Sequence, residues 1–248
     1  MISRRALLAT ALTTFPVYAA LTHVAGLGVA GAGGNPWVTR QQELALSLGR
    51  GEITPSDWQS EVERFARDID IGQLLATIRE ARQAKVGRAL PSYPFKTAIR
   101  FLDESGTPRR LRFASALFDF APTDVITPHA HRHMVSAHMI VRGAFRVRNF
   151  DRVGEDGDAL VLRETGDRVL KAGAISTMSS ERDNVHWFVP DSGPASTFDI
   201  IVSRLDPGEP TYVIEPVDPL YGRRLEGGLL RAPLIGFEES ARKYTSRV

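Results

Sequence analysis

The 248-residue chain contains no cysteine, which removes disulfides, thiolate metal ligands and a cysteine nucleophile from consideration together. It also lacks an excess of charge of either sign. Lys and Arg number 31 against 29 Asp and Glu, a formal net charge of +2. No basic stripe interleaved with aromatics offsets that balance, so nucleic acid is not an expected partner. No internal repeat is evident, and the single extended apolar stretch runs from Ala6 to Ala32. What is present, 43% hydrophobic and 24% charged residues, suits one domain with a sizeable core plus accessory segments.

The N-terminus reads as a targeting segment. Ser3-Arg4-Arg5 leads into ALLATALTTF and Pro16, and the paired arginines followed by Leu7-Leu8 are similar to a twin-arginine export signal. Residues 1–33 are therefore expected to be signal and linker, cleaved after Ala19 or Ala32, with a periplasmic or other extracytoplasmic destination. The alternative is an uncleaved signal kept as an anchor. Thr13, Thr14, Pro16, Thr22 and His23 interrupt the apolar run, so no stable membrane span is expected after signal removal. Twin-arginine machinery carries folded proteins, so a metal loaded in the cytoplasm would escape competition from copper or zinc outside.

Residues 34–92 read as a helical N-terminal segment. Arg40 to Leu48 suits a short helix ended by Gly49-Arg50-Gly51. Thr54-Pro55-Ser56-Asp57 supplies an N-cap, a proline at the first helical position and an acid near the positive end of the dipole. Trp58, Val62, Phe65 and Ala66 follow at helical spacing, and Asp70 to Ala84 continues as a further helix. These are packing elements without chemistry. From about residue 96 the period becomes two, in short segments such as RRLRFASALFDF, HMIVRGAFRVRNF, DALVLRE, RVLKAG, DNVHWFV and STFDIIVSRL. Turn residues at 104–106, 155–157 and 191–193 separate several of them. The fold class is thus mainly β, a sandwich or barrel over residues 93–220, with a 221–248 tail ending in a short helix near Glu238 to Tyr244.

Chemistry concentrates in the histidines. His129, His131, His133 and His138 lie within TPHAHRHMVSAHMIVRG, and His186 stands in DNVHWF. A His-x-His pair on one strand, answered by a later histidine, can converge on one transition metal and leave coordination positions open. His133 is expected to face solvent or substrate. His138 shares a strand face with Ser136, so it is a partner to a ligand, a fourth ligand or a packing residue. Asp199 alternates with Thr197 and Ile201 and, if inward, would hydrogen-bond a ligand histidine or the substrate. Gly173 and Asn184 read as turn residues, Trp187 and Phe188 as core and pocket wall.

His129-Ala130-His131, four residues, Ser136, six residues and Gly143 resemble the first metal motif of the cupin superfamily, with Ser136 where a carboxylate ligand usually stands. His186 resembles the second motif. The likeness implies a cupin jelly-roll barrel. Between about residues 110 and 215 the chain further resembles thiol dioxygenases of the cysteamine dioxygenase and plant cysteine oxidase type. Met134, Gly143, Val147, Phe150 and Asp151 fall in step with them, as do Asn184-Val185-His186-Trp187-Phe188, the segment Ala195 to Ile200, and Pro210-Thr211-Tyr212. Departures are Arg132 for a proline, Met139 for a lysine, and Leu205 near an expected tyrosine. The resemblance implies Fe(2+) on His129, His131 and His186, with Mn, Ni or Zn as alternatives. Asp199 and His138 would orient ligands or relay a proton while O2 oxidises a small thiol to a sulfinate. Two other functions stay open: a non-catalytic metal-binding cupin for small-molecule binding or sensing, and a cupin oxygenase or isomerase on a non-thiol substrate. A homodimer is compatible with all three.

Overall fold

The computed structural model describes residues 36–245, so the export signal expected at 1–33 lies outside the described residues. Among the described residues three helices come first: α1 (Pro36–Gly49), α2 (Pro55–Ala66) and α3 (Ile71–Glu80). At α2 the Thr54 hydroxyl accepts from the Asp57 amide at 3.0 Å, and the Asp57 carboxylate accepts from the Thr54 amide at 3.1 Å. This reciprocal cap satisfies two amides that the first turn leaves without partners. Asp70 caps α3 by accepting from the Gln73 amide at 2.9 Å.

Thirteen strands, a short 3-10 helix (Glu226–Gly228) and one more α-helix follow among the described residues. The strands are β1 (Arg82–Gly87), β2 (Phe95–Arg100), β3 (Ala114–Phe120), β4 (Ile126–Arg132), β5 (Met134–Arg142), β6 (Ala144–Asp156), β7 (Ala159–Lys171), β8 (Ile175–Met178), β9 (Val185–Pro190), β10 (Ala195–Ser203), β11 (Val213–Pro216), β12 (Arg223–Arg224) and β13 (Leu229–Pro233). The helix is α4 (Phe237–Lys243). They pair antiparallel as a six-stranded sheet, β1-β2-β3-β10-β5-β8, and a seven-stranded sheet, β11-β4-β9-β6-β7-β13-β12. Among the described residues no strand pairing joins the two sheets.

Period-two alternation gives each inner strand two different faces. On the six-stranded sheet, Ile99, Ala137, Met139, Phe198 and Ile200 face outward against Trp37, Val38, Trp58, Val62, Leu74 and Ile78 of α1 to α3. Burying each such large side chain contributes about 1.5–3 kcal/mol, which holds the helices on the sheet. The opposite face turns towards the seven-stranded sheet, where Ala116, Phe118, Phe120 and Ile140 meet Ile126, Phe145, Val147 and Phe188. That apolar cluster fills one part of the space between the sheets. The histidines fill another.

Several elements differ from the sequence reading. The helix expected from Asp70 to Ala84 ends at Glu80, because Ala81 turns extended and Arg82–Gly87 pairs with β2 as an edge strand. Residues 34–92 are therefore not wholly helical. The sequence RQAKVG is exposed over its first four residues and shows no apolar alternation; backbone pairing alone makes it a strand. DALVLRE and RVLKAG are one long strand, β7, paired along β6 with two register shifts. Past residue 220 the tail is not only a helix: β13 extends the seven-stranded sheet from β7, and the two-residue β12 closes its edge.

Gly143, part of the histidine motif by spacing, sits in the turn between β5 and β6 with φ of 72°. A Cβ there would lie 2.9 Å from the Pro194 carbonyl oxygen and 2.9 Å from Ala195 Cβ. Both conformation and space demand glycine. Gly143→Ala is expected to lower stability by about 1–3 kcal/mol or more in urea unfolding, and a loss below a few tenths would contradict the turn geometry.

Candidate metal centre

The site begins with strand register. β4 and β9 are neighbours, and His129 stands directly opposite His186 in their pairing. His131, two residues on, shares the face of His129, so all three rings project into the space between the sheets. His129, His131 and His186 are 6%, 3% and 1% exposed. The Nε2 atoms of His129 and His186 are 3.1 Å apart, and those of His131 and His186 are 3.3 Å apart. One ligand nitrogen from each ring lies within 4.8 Å of the others.

Those separations fit a metal ion. Nitrogens about 2.1 Å from one ion, at angles between octahedral and tetrahedral, stand about 3.0–3.4 Å apart. The donors also point the right way. The Nδ1–H of His129 donates to the Thr127 carbonyl at 2.7 Å, which leaves the Nε2 lone pair facing the centre. Nδ1 of His131 contacts Met134 Sδ at 3.2 Å and does the same for that ring. The Asn184 amide donates to the His131 carbonyl at 2.8 Å and to the Ser179 carbonyl at 2.9 Å, tying the loop before β9 to β4. Asn184, read as a turn residue, is thus a buried brace between the two ligand strands. Burial pushes the ionisation of all three rings down, His129 to about 4 and the other two well below the ordinary range, with repulsion from neighbouring histidines, His138 among them, adding to it. Neutral imidazole is the form that binds metal.

Facing this cluster, the six-stranded sheet presents Ser136, His138 and Asp199. Asp199 of β10 is the cross-strand neighbour of His138 of β5. The Nδ1–H of His138 donates to Asp199 Oδ2 at 2.8 Å, so Nε2 accepts from the Ser136 hydroxyl, also at 2.8 Å. Both ring nitrogens of His138 are engaged, and His138 lies outside the three-histidine ligand group. Its ring packs on His186 at 4.6 Å and on Phe188 at 5.2 Å between centroids. Ser136, at the position of the usual carboxylate ligand, faces His138 instead. His133 turns away: it occupies the β4–β5 corner with φ of 62°, and its ring bonds the Asp206 carboxylate at 2.6 Å. Phe188 walls the site, whereas Trp187 points to the other face, stacked edge-on with Tyr244 and covered by the Arg148 guanidinium. Leu205 packs in the helix-covered core.

Two buried residues of this compartment, and a half-buried tyrosine beside it, were not singled out from sequence. Asn149 stands beside His186 in the β6–β9 register and reaches across to Ser176 of the opposite sheet. Lys96 of β2 is 1% exposed and lies over the Phe118 ring at 5.5 Å. Burial lowers its ammonium to about 8, while the Asp199 charge opposes that shift. Tyr93 bonds the hydroxyl of Thr127, two residues before His129, at 2.7 Å. Alternation was the available signal: Phe145, Val147 and Asn149 share a face, as do Lys96 and Ala98. His186 Nδ1, Asp199 Oδ1, Asn149 Oδ1 and Thr197 Oγ1 are buried without a hydrogen-bond partner among the described residues. Each such atom costs about 1–3 kcal/mol when left bare, and a polar ligand or water between the sheets would offset that cost.

For the metal-free protein the pH dependence has a definite sign. The folded state holds His129 neutral down to about 4, whereas an unfolded histidine protonates near 6.5. Stability is therefore full above about pH 6.5 and falls as pH drops from there towards 4. Urea unfolding of the chelator-treated protein should show this slope, and a flat profile across that window would contradict it.

No protein-family model matches the chain, and no curated protein matches it either. Solved structures resemble about half of it. Procruciferin, an 11S globulin from Brassica napus, is 12% identical over 51% of this chain and 28% of its own, with a TM-score of 0.35. A cupin-superfamily sugar phosphate isomerase from Silicibacter pomeroyi is 17% identical over 58% and 78% of the two chains, TM-score 0.35. An oxalate oxidase is 23% identical over 50% and 56%, TM-score 0.33. The chain thus spans little over a quarter of the globulin and about half of the oxidase. At these TM-scores the likenesses assign neither a reaction nor a substrate.

Proposed function

We propose that this chain is an exported, metal-dependent oxidoreductase of the cupin type, with ferrous iron held by His129, His131 and His186. Its substrate would be a small thiol. The observation that carries the reading is the buried triangle of neutral imidazole nitrogens, with no carboxylate among its members. Such a ligand set leaves the ion its full positive charge and several open positions, which suits an anionic sulfur ligand. The sequence likeness of residues 110–215 to thiol dioxygenases supports the choice of thiol, and the Arg4-Arg5 segment supports export. The reaction needs no further reductant: thiol and O2 give the sulfinic acid, both oxygen atoms ending on sulfur and the S–H proton passing to an oxygen.

Bound iron would supply the redox chemistry and an electrophilic seat for the thiolate. The chain's residues supply the rest. Asp199 fixes the His138 tautomer by accepting from Nδ1–H, and Nε2 with Ser136 can hold the proton that a thiol gives up. Phe188, Val147 and Ile140 keep the compartment dry, which strengthens each electrostatic interaction within it.

Anaerobic purification followed by metal analysis and O2 uptake with cysteamine, cysteine and 3-mercaptopropionate tests the reading. About one iron per chain and thiol-dependent uptake are expected. His186→Ala should abolish both, while Asp199→Asn should keep the metal and lower the rate by about 10–100-fold. Bound metal with no thiol-dependent uptake would contradict the enzymatic reading.

A further inference from the structure

The proposed thiol chemistry leaves Lys96 without a role. Strand alternation places Lys96 and Ala98 of β2 on the inner face, while Ile99 packs outward under the helices. Register then orders that face into rows. One row runs His138, Asp199, Ala116, Ala98; the next runs Ile140, Thr197, Phe118, Lys96. Strands β2 and β10 stand about 9–10 Å apart across β3, within reach of a lysine side chain. From Asp199 towards β2 its row continues with Ala116 and Ala98, which occupy little of the space between the lysine and the carboxylate. Thr197 Oγ1 and Asp199 Oδ1, both buried there, have no hydrogen-bond partner among the described residues.

Charge points the same way. Asp199 is the acid whose field Lys96 feels, and that carboxylate already accepts from His138. A divalent ion on three neutral histidines adds two positive charges to this buried space. Buried charge persists only when compensated, so the compartment needs anionic partners brought by the ligand. A lone thiolate offsets one.

We infer that Lys96, with Thr197, forms an anion subsite beside the three-histidine centre, so that the substrate is a small molecule carrying a carboxylate as well as the group that reaches the metal. This rests on the metal-centre reading above and narrows its substrate class. Amine-only thiols such as cysteamine would lack the second anchor and would bring an ammonium towards the lysine.

Binding without turnover tests it. Anaerobic calorimetric titration of the iron-loaded protein would compare 3-mercaptopropionate, cysteamine and propionate, with iron content and melting recorded for each variant. The expected result is that 3-mercaptopropionate binds about ten-fold or more tighter than cysteamine, as one charge-assisted contact provides. Lys96→Met should erase that preference, weaken propionate in parallel and leave cysteamine unchanged, while Lys96→Arg should retain part of it. The wild-type ligand series decides the matter even where a variant fails to fold. Equal affinity for the two thiols, or a preference that survives Lys96→Met, would overturn the subsite while leaving the thiol reading intact. Propionate binding that depends on Lys96, with no thiol binding, would support the subsite and remove the thiol.

Discussion

Three neutral imidazoles aimed at one point are the constraint around which this interior is arranged. Nitrogen lone pairs 3.1–3.3 Å apart repel unless a cation lies between them or a proton is shared. Protonation is disfavoured by burial, which holds His129 near 4 and the other two well below the ordinary histidine range. A metal ion relieves the repulsion without adding a proton. The Thr127 carbonyl and the Met134 sulfur keep two of those lone pairs inward, and the Asn184 amide braces the His131 backbone.

The two sheets divide the work. The seven-stranded sheet carries all three ligands on adjacent strands, so their convergence follows from the β4–β9 register rather than from loop conformation. The six-stranded sheet carries Asp199, His138 and Ser136 on its inner face, while its outer face is packed against α1 to α3. Sites on paired strands are held more closely than sites on loops.

Much of this was legible before any coordinates. The His-x-His spacing, the later histidine and the glycine at 143 each correspond to a backbone requirement: a shared strand face, a register partner and a turn with positive φ. Asp199 was legible as a candidate partner only if it faced inward, and the β5–β10 pairing puts it beside His138. The Thr54 cap and the apolar faces of the first helices were likewise local signals. What escaped was non-local. A lysine in FKTAIR or an asparagine in RVRNF reads as solvated until the opposite sheet is known to cover it. The strands Arg82–Gly87 and Leu229–Pro233 owe their form to partners distant in sequence, not to their own side chains. That His138 spends both ring nitrogens on Asp199 and Ser136 depends on a cross-strand pairing that spacing does not encode.

X-ray absorption of the iron-loaded protein, with and without thiol, bears most directly on the central claim. The account predicts three imidazole nitrogens about 2.0–2.2 Å from the metal, one of which is lost in His186→Ala, and a sulfur scatterer on adding thiol. A metal with fewer than three imidazoles, or a coordination sphere indifferent to residue 186, would contradict it.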